Sequence, residues 1–268
     1  MPYNDSNSNS RFDIMEGERL DDLIRGGLKI IQSPSAFCFS MDAVLLANFT
    51  ALKMGDKIID LGTGTGVIPL LLASRKTAGK ITGLEIQEES CDRARRSVRG
   101  NRLEDLIDII QGDICEADRV LGVGKFDVVT TNPPYLPVGR GAQNETDLIA
   151  VARHEIRCSL DNVVNAGSRL VRYGGRMTMV HRPERLSNII VTLEKYRLRP
   201  RRLQMVHPSP GKRPNMILIE AQLGGNPELI IQEPFFVYNE DGSYTNTFWD
   251  IYYPGKPYSH HGSGCYDG

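Results

Sequence analysis

The sequence predicts an α/β fold in which a parallel sheet of seven strands has helices on both faces. From Lys57 onward, a β-prone run, a glycine-containing turn and a helical run follow one another repeatedly. This alternation is typical of βαβ units, in which a crossover helix brings the next parallel strand alongside the first. A second observation is the glycine-rich turn after the first strand of the series. The expected strands are Lys57–Leu61, Lys80–Glu85, Ile107–Gln111, Phe126–Thr131, Gly175–His181, Leu203–Val206 and Asn215–Leu223.

Helices are expected in the intervals between these strands. They are predicted at about Val67–Arg75, Glu88–Asn101, Leu148–Arg172 and Pro183–Lys195. An N-terminal extension precedes them, in which β-prone Leu28–Gln32 and Ala36–Phe39 flank a Ser-Pro-Ser turn and predict a β-hairpin. The apolar spacing after Ser40 predicts a helix through Ala51 that Ser40 caps.

These elements divide the chain into three regions. Residues 1–27 are expected to form a partly disordered leader, because their first ten positions carry almost nothing apolar. Residues 28–223 are expected to form the α/β domain. Residues 224–268 form a C-terminal extension rich in Pro, Gly and Asn, in which only a short strand at Phe235–Tyr238 is predicted.

Composition excludes several classes of protein. With 40% hydrophobic and 24% charged residues, the chain is typical of a globular domain rather than a disordered one. No apolar run approaches the length of about 20 residues that a membrane helix needs, and the polar start is unlike a signal peptide. The five cysteines are scattered without a Cys-x-x-Cys pair, so neither a disulfide framework nor a metal site is expected. These features favour a cytoplasmic protein.

A glycine-rich turn joins the first expected strand to a helix. Gly62, Gly64 and Gly66 follow the apolar run that ends at Leu61. Glycines at this point allow a sharp turn and a close approach to a ligand, while the helix N-terminus offers free N–H groups. The triplet alone leaves two alternatives open, an ordinary strand-to-helix turn and a dinucleotide site.

Three acidic residues narrow the type of ligand. Asp60, just before the glycines, would repel a pyrophosphate but attract an ammonium group. Glu85 ends the second strand, about 20 residues further on, where a carboxylate binds ribose hydroxyls. Asp113 follows the third strand, where it could accept a hydrogen bond from an adenine amine. Each of the last two is individually as consistent with a solvated acid at a strand end, but together they outline an adenosine-shaped site.

In these residues the sequence resembles the class I S-adenosylmethionine-dependent methyltransferases. The resemblance covers about residues 28–223 and implies a seven-stranded Rossmann-like methyltransferase sheet with S-adenosylmethionine as cofactor. It implies that the glycine turn contacts the methionine part, the second-strand acid the ribose and the third-strand acid the adenine. The implied cofactor contacts are Asp60, Gly62, Thr63, Gly64, Gly66, Glu85, Ile86, Asp113, Ile114 and Asn132.

The residues after the fourth expected strand are candidates for catalysis. Asn132-Pro133-Pro134-Tyr135 places an amide, two donor-free prolines and an aromatic ring in succession. An amino group on a flat π-system is a poor nucleophile, and oxygen acceptors can draw it toward tetrahedral geometry. The Asn132 side chain and the Pro133 carbonyl could supply these acceptors, and Tyr135 could stack on the planar substrate. The alternative is a simple proline turn.

The same four residues resemble the motif of methyltransferases that act on adenine, cytosine or guanine amines and on glutamine amides of release factors. Within that set, residues 37–47 and Gly211-Lys-Arg-Pro214 resemble the tRNA adenine-N6 methyltransferases that act on valine tRNA. This resemblance implies that Phe39 and Asp42 help to close over the cofactor. The alternative is that Phe39 belongs to the core and Asp42 begins a helix.

Because the net charge is −1, binding of tRNA, the expected partner, would need a local basic patch. The candidate substrate contacts are Pro134, Tyr135, Arg140, Arg197, Arg199, Arg201, Arg202, Lys212 and Arg213. A solvated charged face is the alternative for the arginine run. Other functions remain open at this point: glutamine N5-methylation of release factors, a non-catalytic RNA-binding module, and methylation of an amine in rRNA or DNA. The short N-terminal region disfavours the first, and the presence of Asp60, Asn132 and Tyr135 disfavours the second.

Overall fold

The computed structural model describes residues 11–23, 26–33, 41–133, 159–225 and 228–258. Its strands are β1 (Arg19–Asp22), β2 (Lys29–Gln32), β3 (Asp56–Leu61), β4 (Ala78–Glu85), β5 (Ile107–Gln111), β6 (Phe126–Thr131), β7 (Val171–His181), β8 (Leu198–His207), β9 (Met216–Leu223), β10 (Ile230–Ile231) and β11 (Phe235–Phe236). Its α-helices are α1 (Met41–Phe49), α2 (Val67–Ala73), α3 (Glu88–Gly100), α4 (Ala117–Leu121), α5 (Leu160–Leu170), α6 (Leu186–Lys195) and α7 (Asn246–Tyr252).

Within the described residues, the main sheet has nine strands in the order β10-β8-β9-β7-β6-β3-β4-β5, with β11 also paired to β8. Strands β3 to β7 are parallel to their neighbours in this group, whereas β9 is antiparallel to both β7 and β8. The seven expected strands are therefore confirmed. The expected strand number was too low for the sheet as a whole, because the two-residue strands β10 and β11 add to β8.

Helices cover both faces of the sheet, as predicted. Adjacent strand residues point to opposite faces, so Ile58 packs with α1, α2 and α3 while Ile59 packs with α5 and α6. The same alternation places Val128 and Val129 in the two clusters. The strand interior is apolar on both faces, which is typical of a parallel sheet covered by helices.

The N-terminal extension contains an antiparallel hairpin, but its observed strands differ from the expectation. β2 pairs with β1, which lies inside the region predicted as a leader. β2 also docks on α3, because the Ile31 N–H donates to Ser97 Oγ at 2.9 Å and the Lys29 N–H donates to Asn101 Oδ1 at 3.0 Å. Residues 36–39, the expected partner strand, lie outside the described residues.

The C-terminal segment contributes to the core. β11 extends the sheet beside the end of β8, and α7 packs against α1. The sequence predicted the short strand but not α7, which carries the buried Phe248 and Trp249. The three-region division of the chain stays a prediction, since only parts of the first and last regions are described.

Candidate active site

The ends of the parallel strands bring the candidate site residues together. Asp60 on β3 lies opposite Gly83 on β4 and opposite Thr130 on β6, and Glu85 lies opposite Gln111 on β5. Residues that follow these strands therefore share one end of the sheet, which we call the carboxyl end. The opposite end, where the parallel strands begin, is the amino end. Ligands bind parallel α/β sheets at their carboxyl end.

The glycine turn between β3 and α2 adopts the conformation that its sequence predicts. Gly62, Gly64 and Gly66 have φ angles of 71°, 56° and 85°, which L-residues with side chains rarely adopt. A Cβ atom on Gly66 would lie 3.2 Å from the Cβ of Ala94 on α3. Close packing of the turn against α3 therefore also favours a residue without a side chain at this position. The Gly62 N–H donates to the Leu84 carbonyl at 2.9 Å, which ties the turn to β4.

Asp60 is fully buried beneath this turn. Its Oδ1 accepts a hydrogen bond from the Thr130 hydroxyl at 2.7 Å, and its Oδ2 makes no hydrogen bond within the described residues. Burial is the main cause that raises the pKa of Asp60 to about 7; the nearby Glu85 charge acts in the same direction, and the hydroxyls of Thr63 and Thr130 oppose the shift. A buried carboxylate oxygen without a partner fits a cationic donor such as an ammonium group.

Glu85 organises the end of β4. Its Oε2 accepts the Gly64 N–H at 2.9 Å, and its Oε1 accepts the N–H groups of Ile86 and Gln87, each at 3.0 Å. A carboxylate has about four acceptor positions, so these bonds leave capacity for about one further donor. Binding of both ribose hydroxyls, as the resemblance implies, would require one of the backbone bonds to yield.

The expected adenine region combines an acid with apolar side chains. Asp113 is exposed after β5, and its Oδ1 accepts the Cys115 N–H at 2.8 Å. Ile86 is 39% exposed at the end of β4. Ile114 lies beside the glycine turn, because a Cβ on Gly62 would be 3.9 Å from its Cδ1. Ile86 follows Glu85 and Ile114 follows Asp113 in the chain, so an apolar side chain adjoins each of the two acids.

Asn132 follows β6 at the same end of the sheet. It is half-buried, and Pro133 after it is buried. Thr130, two residues earlier, both pairs with Asp60 in the strand register and donates to its carboxylate. The structure therefore brings the candidate catalytic amide next to the glycine turn. Pro134, Tyr135, Arg140 and Phe39 lie outside the described residues, so their roles stay predictions. Asp42 lies in the first turn of α1 and is half-buried.

The basic residues that the sequence groups together are divided between the two ends of the sheet. Because β9 runs antiparallel between β7 and β8, Leu198 at the start of β8 pairs with Leu223, and Val206 near its end pairs with Met216. The start of β8 therefore lies at the amino end and its last residue, His207, at the carboxyl end. Arg197 and Arg199 lie at the amino end, and Lys212 and Arg213 lie in the loop at the carboxyl end. Arg201 lies further along β8, and its guanidinium contacts Gln222, which pairs with Arg199 on the side of the amino end.

Arg202 has a structural role that the sequence did not predict. Its guanidinium binds the buried Glu220 through Nε–Oε1 and Nη2–Oε2 contacts of 3.1 and 2.7 Å. It also donates to the Phe49 carbonyl at 2.9 Å and lies 4.4 Å from the centre of the Phe49 ring. These contacts connect β8, β9 and α1, and the expectation that Arg202 also contacts substrate stays a prediction. A run of arginines in the sequence does not reveal which of them face inward.

Sequence reasoning also missed two residues that shape the site. Thr130 orients Asp60, and the signal for it is a polar residue inside an otherwise apolar strand. Gly83 makes room for the glycine turn, because a Cβ there would lie 2.8 Å from the Thr63 Cγ2 atom. Its signal is a glycine inside a strand, which often marks a close approach of another segment.

Two further expectations concern metals and membranes. Within the described ranges, no three His, Cys, Asp or Glu side chains come together as a metal-binding group. Among the helices of that same part of the chain, none is both long enough and apolar enough to cross a membrane.

Comparison with known proteins identifies relatives by sequence. A curated Porphyromonas gingivalis protein named tRNA1(Val) (adenine(37)-N6)-methyltransferase is 30% identical over 197 residues, which cover 71% of this chain and 76% of that protein. A Phocaeicola vulgatus protein of the same name is 26% identical over 204 residues, covering 75% of this chain and 85% of its own length.

Solved structures share the fold. A protein of Agrobacterium tumefaciens described as a predicted O-methyltransferase matches with a TM-score of 0.65 at 25% identity, over 79% of this chain and 95% of its own. The Thermus thermophilus 16S rRNA N2 G1207 methyltransferase, in complex with AdoMet and guanosine, matches with a TM-score of 0.54 at 19% identity, over 77% of this chain and 50% of its own. The family model described as methyltransferase small domain matches residues 28–188. The chain therefore belongs to the methyltransferase small domain family.

Proposed function

We propose that this enzyme transfers a methyl group from S-adenosylmethionine to the N6 amine of an adenine in tRNA. The observation that carries the proposal is the placement of Asn132 at the end of β6, beside the strand that carries the buried Asp60. An amide acceptor and a carboxylate suited to a cation thus lie on neighbouring strands. The names of the two curated relatives support adenine 37 of a valine tRNA as the target. A cytoplasmic location is part of the proposal.

The residues at the carboxyl end of the sheet fit this cofactor. When bound, S-adenosylmethionine supplies a methyl group on a positively charged sulfur, which is already activated for transfer. The free Oδ2 of Asp60 would accept a hydrogen bond from the ammonium of the methionine part. Glu85 would bind the ribose, and Asp113 would accept the adenine amine between Ile86 and Ile114.

The chain's own residues would activate the target amine by position rather than by a strong base. The N6 lone pair of adenine is delocalised into the ring. The nitrogen therefore becomes nucleophilic only when its geometry changes from planar toward tetrahedral. Asn132 Oδ1 and the Pro133 carbonyl would accept its two N–H bonds and favour that geometry. Tyr135 would stack on the extruded base, a contact worth about 1–3 kcal/mol. Lys212 and Arg213, at the same end of the sheet, and Arg140 would contact phosphates.

Methyl incorporation into an unmodified valine tRNA transcript tests the proposal. After digestion, mass spectrometry of the nucleosides should show N6-methyladenosine. Asn132→Ala should lower kcat by about 100-fold or more, because it removes an acceptor aimed at the reacting amine. Asn188→Ala, an exposed substitution on α6, is the matched control and should be fully active.

Three outcomes would contradict the proposed function. One is folded, cofactor-binding protein that leaves tRNA unmethylated. Another is label that enters the glutamine of a release factor instead of tRNA. The third is an Asn132→Ala variant as active as the wild type, which would remove the catalytic assignment.

A further inference from the structure

Tyr173 is an exposed aromatic residue at the amino end of the sheet. It lies near the start of β7 and is 76% exposed. One edge of its ring occupies the space that a Cβ on Gly224 would fill, and Gly224 has a φ angle of 72°. The ring is therefore seated against the backbone after β9 while most of its surface faces solvent. Such a ring is available for stacking with a planar group.

Arg197 and Arg201 belong to the chain segment that lies next to this ring. Arg201 donates to the Gln222 side-chain oxygen at 2.8 Å, and the Gln222 amide donates to the Gly174 carbonyl at 3.0 Å. The Arg197 carbonyl accepts the N–H of Gly224, the residue that supports the ring, at 3.2 Å. Within the described part of the chain neither Arg197 nor Arg201 forms an ion pair, whereas the neighbouring Arg199 pairs with Glu194.

The position of this group separates it from the methyl-transfer site. Tyr173 lies between Val171 and Arg176 of β7, which pair with Phe126 and Val128 at the start of β6. Asn132 follows Val128 by four residues, which at about 3.3 Å per residue corresponds to about 13 Å along the sheet. Arg201 adjoins Arg202, which is level with Asp60 in the strand register. However, β9, β7 and β6 lie between β8 and β3, so at about 4.8 Å per strand step the two strands are about 19 Å apart. No single nucleotide spans that separation, but a folded RNA does.

We propose that Tyr173, Arg197 and Arg201 form a second RNA-binding surface, the amino-end surface, which contacts a part of the folded tRNA remote from the target adenine. The inference rests on the proposed tRNA substrate. Guanidinium groups suit phosphates, and an exposed aromatic ring suits an unpaired base. A sequence-independent contact of this kind would add affinity for whole tRNA without touching the reacting base.

Binding of two RNAs to the same variants tests the proposal. Full-length unmodified tRNA and its isolated anticodon stem-loop are compared for the wild type, Tyr173→Ala and Arg201→Gln. Tyr173→Ala should bind full-length tRNA about tenfold more weakly, whereas Tyr173→Phe should bind it normally because the ring is retained. Arg201→Gln should reduce the slope of log affinity against log salt by about 1. For both weakened variants, kcat/KM on tRNA should fall while kcat at saturating tRNA and activity on the stem-loop stay unchanged.

Arg99→Gln is the matched charge control, because Arg99 is exposed on α3, a helix that packs against β5 at the far side of the sheet. Equal unfolding midpoints show that each variant is folded. Normal tRNA affinity in both Tyr173→Ala and Arg201→Gln overturns the amino-end surface, as does an equal loss of activity on tRNA and stem-loop. If the wild type does not methylate tRNA, the proposed function is wrong, and the amino-end surface is then judged by tRNA affinity alone. A tenfold lower affinity of the variants than of the wild type supports the surface, and equal affinities overturn it.

Discussion

Protonation of Asp60 is expected to compete with binding of the cofactor. Burial holds its pKa near 7, so the carboxyl is largely protonated below that pH in the free protein. A bound ammonium favours the ionised form, so binding must displace the proton at acidic pH. Affinity for S-adenosylmethionine should therefore rise by roughly tenfold between pH 5.5 and 7, measured by calorimetry.

Asp60→Asn isolates this effect. The amide oxygen can keep the Thr130 hydrogen bond, but the amide N–H₂ group faces the ammonium. We expect affinity about 100-fold below the wild type and no change with pH over this range. Thermal stability should not fall, because the substitution removes a buried ionisable group. A variant that keeps the wild-type pH profile would show that another group carries the proton.

For individual residues, the sequence predicts which residue types lie at the strand ends better than it predicts the hydrogen bonds that they form. Asp60, Glu85 and the three glycines could be placed because each follows an apolar run of strand length. The Thr130 contact could not, because it depends on which strands are neighbours. The hydrogen bonds that Glu85 accepts from three backbone N–H groups could not be predicted either, since they depend on how the chain turns after β3 and β4.

The direction of β8 decides which basic residues can reach the methyl-transfer site. The sequence shows one arginine-rich stretch, but β9 between β7 and β8 turns its two halves to opposite ends of the sheet. Strand order is not encoded in local periodicity, so this separation could not be predicted. It leaves Lys212 and Arg213, exposed in the β8–β9 loop, as the members of that stretch beside the carboxyl end.

Lys212→Gln/Arg213→Gln tests that loop. If both side chains contact phosphates, the double variant should lose about 2 from the slope of log affinity against log salt. Its kcat/KM on tRNA should fall about tenfold or more with unchanged affinity for the cofactor. Arg99→Gln/Arg102→Gln removes the same charge from exposed positions near the end of α3 and serves as the control. An unchanged salt slope in the loop variant would exclude the loop from the RNA contact.

The N-terminal segment is fixed to α3 by a buried ion pair. Glu18 binds Arg96, which is 2% exposed, at 2.6 and 2.8 Å and also accepts from Arg93 at 3.0 Å. The hydrogen bond from Arg96 is the main cause that lowers the pKa of Glu18 to about 2. Because the folded pKa is below the unfolded value, this contact stabilises the fold above about pH 4.5 and is lost as the pH falls toward 2.

Glu18→Gln should therefore lower the free energy of unfolding by about 3 kcal/mol at pH 7, because it leaves Arg96 without its main partner. Denaturant titrations at pH 7 and pH 3 measure this. The difference between variant and wild type should shrink at pH 3, where the Glu18 contact is already weakened. A difference that stays constant with pH would show that Glu18 acts by packing rather than by charge.

At the scale of the whole molecule, the sequence predicts the core of alternating strands and helices, but not how the N- and C-terminal segments pack against it. The strands β3 to β6 and their helices follow from apolar runs separated by glycine turns. β1 is short and polar, so only its contact with β2 and α3 defines it. α7 lies in a segment rich in Pro and Gly, and its helical form depends on the Thr245 cap and on burial of Phe248 against the α1 side of the core.

Phe248 provides a test of whether the C-terminal segment folds as one unit with the sheet. Its ring is 1% exposed and stacks between Tyr244 and Tyr252, with ring centres 4.7 and 5.2 Å away. Phe248→Ala should lower the free energy of unfolding by about 3–4 kcal/mol, because it leaves a cavity in the core. Asp250→Ala, an exposed change on the same helix, is the control.

The single tryptophan makes the readout specific, because Trp249 lies on α7. Its fluorescence reports the C-terminal segment, while far-ultraviolet circular dichroism reports mainly the sheet and the other helices. If the segment belongs to one cooperative unit, both signals change at the same denaturant concentration in the wild type and shift together in Phe248→Ala. A fluorescence transition that precedes the circular dichroism transition would mean that residues 235–258 detach while the sheet stays folded, and the core would then have to be described without them.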